Sequence, residues 1–217
     1  MIKAVIFDLD GTLANTLEDL CDSTNFALKK HGYPARDLSE FNMFIGDGVP
    51  KLIERAIPKE KFTEEAKEKV YTEFMAHYRQ NFLNKTVPYD NIPECISKLV
   101  ESGLKLAVVS NKVDEMTVKI VDKLFYGQFS QVVGKREGCP LKPDPASTLE
   151  VIEKLGVEPQ ECVFIGDSGM DMKTAKNAGC VALGVLWGFR GREELIENGA
   201  DYLVETVSEL APLILGL

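Results

Sequence analysis

Residues 2–12 read IKAVIFDLDGT, and this stretch decides the fold. The apolar run that ends at Phe7 is led by β-branched residues, a pattern that predicts a strand buried in a parallel sheet. Asp8 and Asp10 follow at spacing i, i+2, so both carboxylates leave the strand on the same side. Gly11 then breaks the strand into a tight turn. Ligands bind at strand ends of open α/β sheets, and two adjacent like charges need a cation or a shared proton, so this turn is a candidate reaction centre.

The rest of the chain alternates apolar strand patterns with helical patterns. Strands are predicted at residues 3–9, 104–110, 131–134, 162–166, 180–186 and 200–204, and helices at 92–102, 113–125, 145–155 and 170–178. This alternation is typical of βαβ units. The sequence therefore predicts an α/β fold, a Rossmann-like parallel sheet with helices on both faces.

The first gap in this alternation contains no convincing strand. Residues 15–85 carry only helical patterns, including one long helix predicted at 63–82, interrupted by glycine and proline. The simplest interpretation is an all-helical cap domain inserted after strand one. The predicted domains are a core at 1–14 and 86–217 and a cap at 15–85.

Composition limits the classes of function. The 217 residues are 45% hydrophobic and 27% charged, values typical of a globular protein. A net charge of −9 disfavours binding to nucleic acid or to an anionic membrane. No run approaches the roughly 18 apolar residues of a membrane span. The five cysteines are scattered and there are only two histidines, which favours reduced thiols and no zinc site. We therefore expect a cytoplasmic enzyme with no nucleic-acid or membrane partner.

Four polar segments each follow a predicted strand. They are DLDGT at 8–12, SNK at 110–112, KPDP at 142–145 and GDSGMD at 166–171. Because the carboxyl ends of parallel strands meet at one sheet edge, we expect these segments to converge.

The residue types in these segments suit phosphoryl transfer. That reaction needs a nucleophile, a proton donor for the leaving oxygen and positive charge on the equatorial oxygens. Asp8 is a candidate nucleophile and Asp10 a candidate acid and base. Ser110 offers a hydroxyl, the backbone N–H groups after it, from Asn111 onward, can cradle phosphate, and Lys142 offers a point charge. Taken alone, Ser110 also fits a helix cap and Lys142 a solvated lysine.

Two further carboxylates follow strand four. Asp167 and Asp171 are hard oxygen donors that suit Mg²⁺. Taken alone, Asp167 would be an ordinary turn residue.

Together the four segments resemble the four-motif signature of the haloacid dehalogenase superfamily, and the match spans nearly the whole chain. The insertion after motif one is similar to the helical cap of the class that includes phosphoglycolate phosphatase and β-phosphoglucomutase. An acid at position 10 resembles the phosphatase and phosphomutase branches. The resemblance implies Asp8 as covalent phospho-acceptor and Asp10 as acid/base. It also implies Mg²⁺ held by Asp8, the Asp10 carbonyl and Asp167, with indirect support from Asp171.

One loop of the predicted cap also resembles the phosphoglycolate phosphatases. It reads FIGDGV at residues 44–49, and its glycines expose backbone N–H groups that can hold a substrate carboxylate. We therefore expect Gly46, Asp47 and Gly48 to select the substrate, although the negative charge of Asp47 would oppose an anionic one. A plain helix-linking turn explains the same residues.

The resulting expectation is a Mg²⁺-dependent phosphatase that acts on a small, phosphoglycolate-like metabolite through an aspartyl-phosphate. A phosphomutase resembling β-phosphoglucomutase, or another small-metabolite phosphatase or pyrophosphatase, remains an alternative. A phospho-acceptor signalling module is the alternative outside enzymes, although it needs neither a cap nor Asp10. The sequence leaves both monomer and homodimer open.

Overall fold

A computed structural model describes all residues 1–217. In chain order the strands are β1 (Ala4–Phe7), β2 (Ala14–Asn15), β3 (Val87–Pro88), β4 (Lys105–Val113), β5 (Gln131–Lys135), β6 (Cys162–Gly166), β7 (Val181–Val185) and β8 (Tyr202–Val204). The α-helices are α1 (Leu17–Lys30), α2 (Phe41–Phe44), α3 (Val49–Ala56), α4 (Glu64–Asn81), α5 (Ile92–Glu101), α6 (Asp114–Leu124), α7 (Ala146–Leu155), α8 (Gly169–Ala178), α9 (Arg192–Glu197) and α10 (Val207–Gly216). No helix is long and apolar enough to cross a membrane.

Six strands form one parallel sheet in the order β5-β4-β1-β6-β7-β8. The predicted α/β fold with a Rossmann-like parallel sheet is confirmed. The first strand lies at the centre, where Ala4 pairs with Lys105 on one side and with Cys162 on the other. All four residues of β1 are fully buried, as its β-branched apolar pattern predicts for a central parallel strand.

The two faces of β1 belong to different parts of the hydrophobic core. Ile6 packs on one face with residues of α7 and α8. Val5 and Phe7 pack on the other face with residues of α5, α6 and α10 and with residues of the helices inserted after β2. This alternation places Asp8, the next residue on the Ile6 side, at the carboxyl edge of the sheet.

The helical insert, residues 17–81, contains α1 to α4 and begins and ends at a small antiparallel ribbon. In that ribbon Ala14 of β2 pairs with Pro88 of β3, so the segments that lead into and out of the insert lie side by side. The insert falls within the predicted cap range 15–85. The long helix predicted at residues 63–82 is α4, and the Thr63 side chain caps it by accepting a hydrogen bond from the Ala66 N–H at 3.0 Å.

Strand β4 is longer than its apolar pattern predicts. It continues to Val113, with a register shift against β5 between Val109 and Val113. The segment 110–112 therefore forms the irregular end of the strand rather than the loop after it. Such a bulge redirects side chains at a sheet edge, and here it turns three polar residues toward the ends of the neighbouring strands.

Candidate active site

Three carboxylates converge at the carboxyl edge of the sheet. Asp8 follows β1, Asp167 follows β6, and Asp171 lies in the first turn of α8; one oxygen of each lies within 4.8 Å of the others, and all three residues are buried. Two glycines make room for this cluster. A Cβ at Gly11 would lie 2.4 Å from Asp167 Oδ2, and a Cβ at Gly188 would lie 2.3 Å from Asp167 Cβ. Any larger residue at these two positions would displace the carboxylate.

Asp167 is held from two sides. Thr12 Oγ1 donates a hydrogen bond to Asp167 Oδ1 at 3.1 Å, and the Phe189 N–H donates to Oδ2 at 2.8 Å. Trp187 Nε1 donates in turn to the Thr12 carbonyl at 3.0 Å. Thr12 and the segment after β7 therefore position the carboxylate. Sequence analysis assigned no role to either, although a tryptophan beside a glycine after a strand end was a usable signal.

Lys142 bridges the other two carboxylates. Its Nζ lies 2.8 Å from Asp8 Oδ1 and donates to Asp171 Oδ1 at 2.6 Å. The second oxygen of Asp171 accepts from the Ser168 N–H at 3.1 Å and from the Ser168 hydroxyl at 2.6 Å. The predicted nucleophile, the predicted point charge and the predicted supporting acid therefore form one contiguous buried network.

The cluster carries more negative charge than its one lysine balances. Burial raises the pKa of Asp8 to about 6, with further increase from the charges of Asp171 and Asp10 and a partial decrease from Lys142. Burial raises the pKa of Asp167 to about 8, and the charges of Asp171 and Asp8 add to it. Burial alone would lower the pKa of Lys142, but the charges of Asp171 and Asp8 outweigh it and raise that pKa.

This donor set fits a hard divalent cation. Three buried carboxylates are oxygen ligands of the kind that Mg²⁺ prefers, and two of them, Asp8 and Asp167, have raised pKa values. A cation bound there would remove the need for these two carboxyl groups to hold protons. The Asp10 carboxylate lies outside this group of three. The expected binding of a metal by the main-chain carbonyl of Asp10 stays a prediction.

Asp10 instead faces Lys112. The Lys112 ammonium donates to Asp10 Oδ1 at 3.0 Å and to Oδ2 at 3.2 Å, and it donates to Tyr78 Oη at 2.6 Å. Lys112 lies in β4 and Tyr78 in α4, so this chain of contacts joins the core sheet to the helical insert. Lys112 lies in one of the four candidate segments, but sequence analysis assigned no role to it or to Tyr78.

Ser110 and Asn111 lie beside the carboxylates at the end of β4, both buried. The Asn111 side chain is already engaged: Oδ1 accepts from the Lys142 N–H at 2.8 Å, and Nδ2 donates to the Gly46 carbonyl at 3.2 Å and to the Lys142 carbonyl at 3.3 Å. The amide therefore positions Lys142 and the loop of the insert. Binding of phosphate by Asn111 would use its main chain, as expected from the sequence.

A pocket joins these residues to the insert. Its cavity volume is about 40 Å³. The lining residues are Asp8, Asp10, Leu20, Ile45, Gly46, Gly48, Val49, Leu52, Tyr78, Ser110, Asn111, Lys112, Val113 and Met116. The structure thus brings Gly46 and Gly48 to the site. Asp47 does not line the pocket, because its carboxylate pairs with the Arg55 guanidinium. That pairing neutralises the charge that would oppose an anionic substrate.

Comparison with known proteins agrees with this geometry. A model of the haloacid dehalogenase-like hydrolase family matches residues 5–185. A phosphoglycolate phosphatase of Aquifex aeolicus is 35% identical over 215 residues, which cover 98% of this chain and 97% of the relative. A second phosphoglycolate phosphatase, from Chromobacterium violaceum, is 34% identical, and the match covers 96% of its length. The crystal structure of a predicted phosphoglycolate phosphatase from Haemophilus somnus has a TM-score of 0.90 at 30% identity, covering 98% of this chain and 97% of that one.

The chain therefore belongs to the haloacid dehalogenase-like hydrolase family. Within that family its full-length similarity to phosphoglycolate phosphatases identifies it as a phosphatase, a hydrolase of phosphoric monoesters.

Proposed function

We propose that this phosphatase hydrolyses a small, phosphoglycolate-like phosphomonoester through an aspartyl-phosphate on Asp8, with Mg²⁺ as cofactor. The observation that carries the proposal is the position of Asp8. It is a buried carboxylate that contacts Lys142, neighbours Asp167 and Asp171, and opens onto the same pocket as Asp10. Nucleophile, counter-charge and acid/base group therefore surround one small space.

Two half-reactions follow from this arrangement. An Asp8 carboxylate oxygen attacks phosphorus, the bond from phosphorus to the ester oxygen breaks, and Asp10 gives its proton to the leaving alcohol. Water then attacks the phosphorus of the aspartyl-phosphate, Asp10 accepts the water proton, and inorganic phosphate leaves while Asp8 is regenerated. Lys142, the Ser110 hydroxyl and the main chain at Asn111 stabilise charge on the equatorial oxygens.

The residues that would hold Mg²⁺ are Asp8, the Asp10 carbonyl and Asp167. Bound there, the ion supplies positive charge to the phosphoryl oxygens and offsets the carboxylates. Asp171 contributes indirectly, because it orients Lys142 at 2.6 Å and is itself held by Ser168.

The insert at residues 15–85 acts in this proposal as a cap that excludes water and selects small substrates. Support comes from the pocket, which residues of α1, α3 and α4 help to line, and from its volume of about 40 Å³. Gly46 and Gly48 contribute main-chain groups to this wall. A phosphorylated protein or nucleic acid would not fit so small a space, whereas a compact acid phosphate would.

The direct test labels the nucleophile. In one turnover with ³²P-labelled 2-phosphoglycolate stopped by acid, ³²P should appear on the Asp8 carboxylate, where analysis of the labelled peptide can find it. The Asp8→Asn variant should fold normally and lose turnover by at least about 10³-fold, because the near-isosteric amide cannot attack phosphorus. ³²P that appears only in the released phosphate, and never on the protein, would point to direct attack by water. A stable phospho-Asp8 without turnover would favour the signalling alternative, and transfer to a bisphosphorylated sugar would favour a phosphomutase.

A further inference from the structure

The pocket contains a single cation. Of the residues that line the pocket, only Lys112 is basic, and the wall around it is mainly apolar or glycine. Lys112 is 5% exposed and Tyr78 only 1% exposed, so neither side chain relies on bulk water for its partners. Buried polar groups of this kind normally have their hydrogen-bonding capacity satisfied.

Tyr78 has a donor to spare. The Lys112 ammonium donates to Tyr78 Oη at 2.6 Å, so the phenol oxygen acts there as an acceptor and its own O–H remains available. The hydroxyl makes no other hydrogen bond in the structure. Burial raises the pKa of Tyr78 to about 12, so the phenol keeps its proton at neutral pH. A buried O–H beside an ammonium, facing a cavity, is suited to an anionic acceptor.

An ammonium in this site can serve two carboxylates at once. Lys142 already does so, between Asp8 at 2.8 Å and Asp171 at 2.6 Å. Lys112 has the same burial and contacts only one carboxylate, that of Asp10. Because only one carboxylate contacts it, the charge of Lys112 can stabilise a second anion that accepts from the adjacent Tyr78 O–H.

The cavity limits the size of that anion. A volume of about 40 Å³ holds only a few water-sized groups at roughly 10–15 Å³ each, so it favours a short organic portion. A long or branched organic portion would require the insert to move away.

We propose that Lys112 and Tyr78 form the binding site for a carboxylate on the organic portion of the substrate and so determine the specificity for short acid phosphates. This inference rests on the small-substrate phosphatase activity proposed above and adds the residues that recognise the substrate. Tyr78 belongs to the insert and Lys112 to the core, so the carboxylate is recognised only when the insert covers the site.

The test compares two substrates that differ at one group. 2-Phosphoglycolate carries the carboxylate, and 2-hydroxyethyl phosphate carries a neutral hydroxyl at the same place. Tyr78→Phe removes only the phenol oxygen and keeps the ring that packs at 5.1 Å from Phe74. We expect kcat/KM for 2-phosphoglycolate to fall about 10- to 100-fold, mainly through KM, as for a lost hydrogen bond to a charged group. For 2-hydroxyethyl phosphate the loss should stay below about twofold.

Tyr71→Phe is the matched control, because Tyr71 lies on the same helix, packs against the core and does not line the pocket. It should leave both substrates unaffected. Equal losses for both substrates in Tyr78→Phe, or no loss for 2-phosphoglycolate, would overturn the assignment. Binding in the Asp8→Asn background gives an answer independent of turnover: the Kd of 2-phosphoglycolate, measured calorimetrically, should rise about 10-fold or more when Tyr78→Phe is added.

The two proposals fail differently. A wild-type protein that hydrolyses no small phosphomonoester would refute the proposed function, while the calorimetric comparison would still judge Lys112 and Tyr78. A wild-type protein that hydrolyses both substrates equally well would refute the specificity site alone.

Discussion

Raising the pH from 5 to 8 should destabilise the metal-free protein, because its buried carboxylates hold protons that the unfolded chain releases. The pKa of Asp8 is raised from 3.8 to about 6 and that of Asp167 from 3.8 to about 8, chiefly by burial. A raised carboxyl pKa stabilises the folded state below the unfolded pKa, and this contribution is lost as the pH rises through the folded pKa.

The magnitude follows from the size of these shifts. Of the range from pH 5 to pH 8, about one pH unit lies below the raised pKa of Asp8 and about three units lie below that of Asp167. At about 1.4 kcal/mol per unit, the free energy of unfolding falls by at most about 5.5 kcal/mol. For a protein of this size that corresponds to a decrease in Tm of about 10–20 °C. Because a bound cation replaces the protons, stabilisation by Mg²⁺ should grow over the same pH range.

Thermal unfolding in EDTA and in excess Mg²⁺, at pH 5, 6, 7 and 8, measures both effects. Asp167→Asn is the control, since it keeps the shape of the side chain and removes the charge of the carboxyl with the largest shift. Its Tm in EDTA should depend much less on pH, and Mg²⁺ should stabilise it little. If the wild-type Tm in EDTA is constant or rises from pH 5 to 8, with no difference from Asp167→Asn, the reasoning about this cluster is wrong.

Three substitutions test the supporting structure. Lys142→Met leaves the buried carboxylates without their ammonium, so urea unfolding at pH 8 in EDTA should show a loss of about 3–5 kcal/mol, and kcat should fall at least about 10²-fold. Gly188→Ala places a Cβ 2.3 Å from Asp167 Cβ, so the Mg²⁺ concentration for half-maximal activity should rise about 10- to 100-fold. Asp47→Asn should change kcat/KM for 2-phosphoglycolate by less than about twofold, because Arg55 already neutralises this partly exposed carboxylate; a gain of about 10-fold would show that its charge reaches the pocket.

Much of the fold and of the central site could be predicted from the sequence. Parallel strands place their carboxyl ends at one edge, so the segments at Asp8, Ser110, Lys142 and Asp167 had to meet there if the strand pattern was right. The six-stranded sheet confirms that pattern. The insert was predictable as helical because residues 15–85 lack any period-2 alternation.

The contacts between insert and core could not be predicted in the same way. Tyr78 follows Phe74 and precedes Phe82 at helical spacing, and both contacts with these rings are present at centroid distances of 5.1 and 6.0 Å. Periodicity shows that such a residue is buried but not what its hydroxyl contacts. One tyrosine among phenylalanines was the available signal, since a buried hydroxyl needs a partner. Its partner, Lys112, lies on a strand whose irregular end the apolar pattern did not indicate.

The central position of β1 also determines the order in which this protein can be assembled. Its residues Ala4–Phe7 are synthesised long before their neighbours, which begin at Lys105 and Cys162. The insert lies between these partners in the chain. Its helices α1 and α4 pack directly on each other, and this packing needs no strand of the main sheet. On the ribosome, we expect the insert to acquire helical structure first while β1 remains an unpaired apolar segment open to chaperones. The sheet then closes around β1 last, so folding is limited by contacts between residues that are far apart in the sequence.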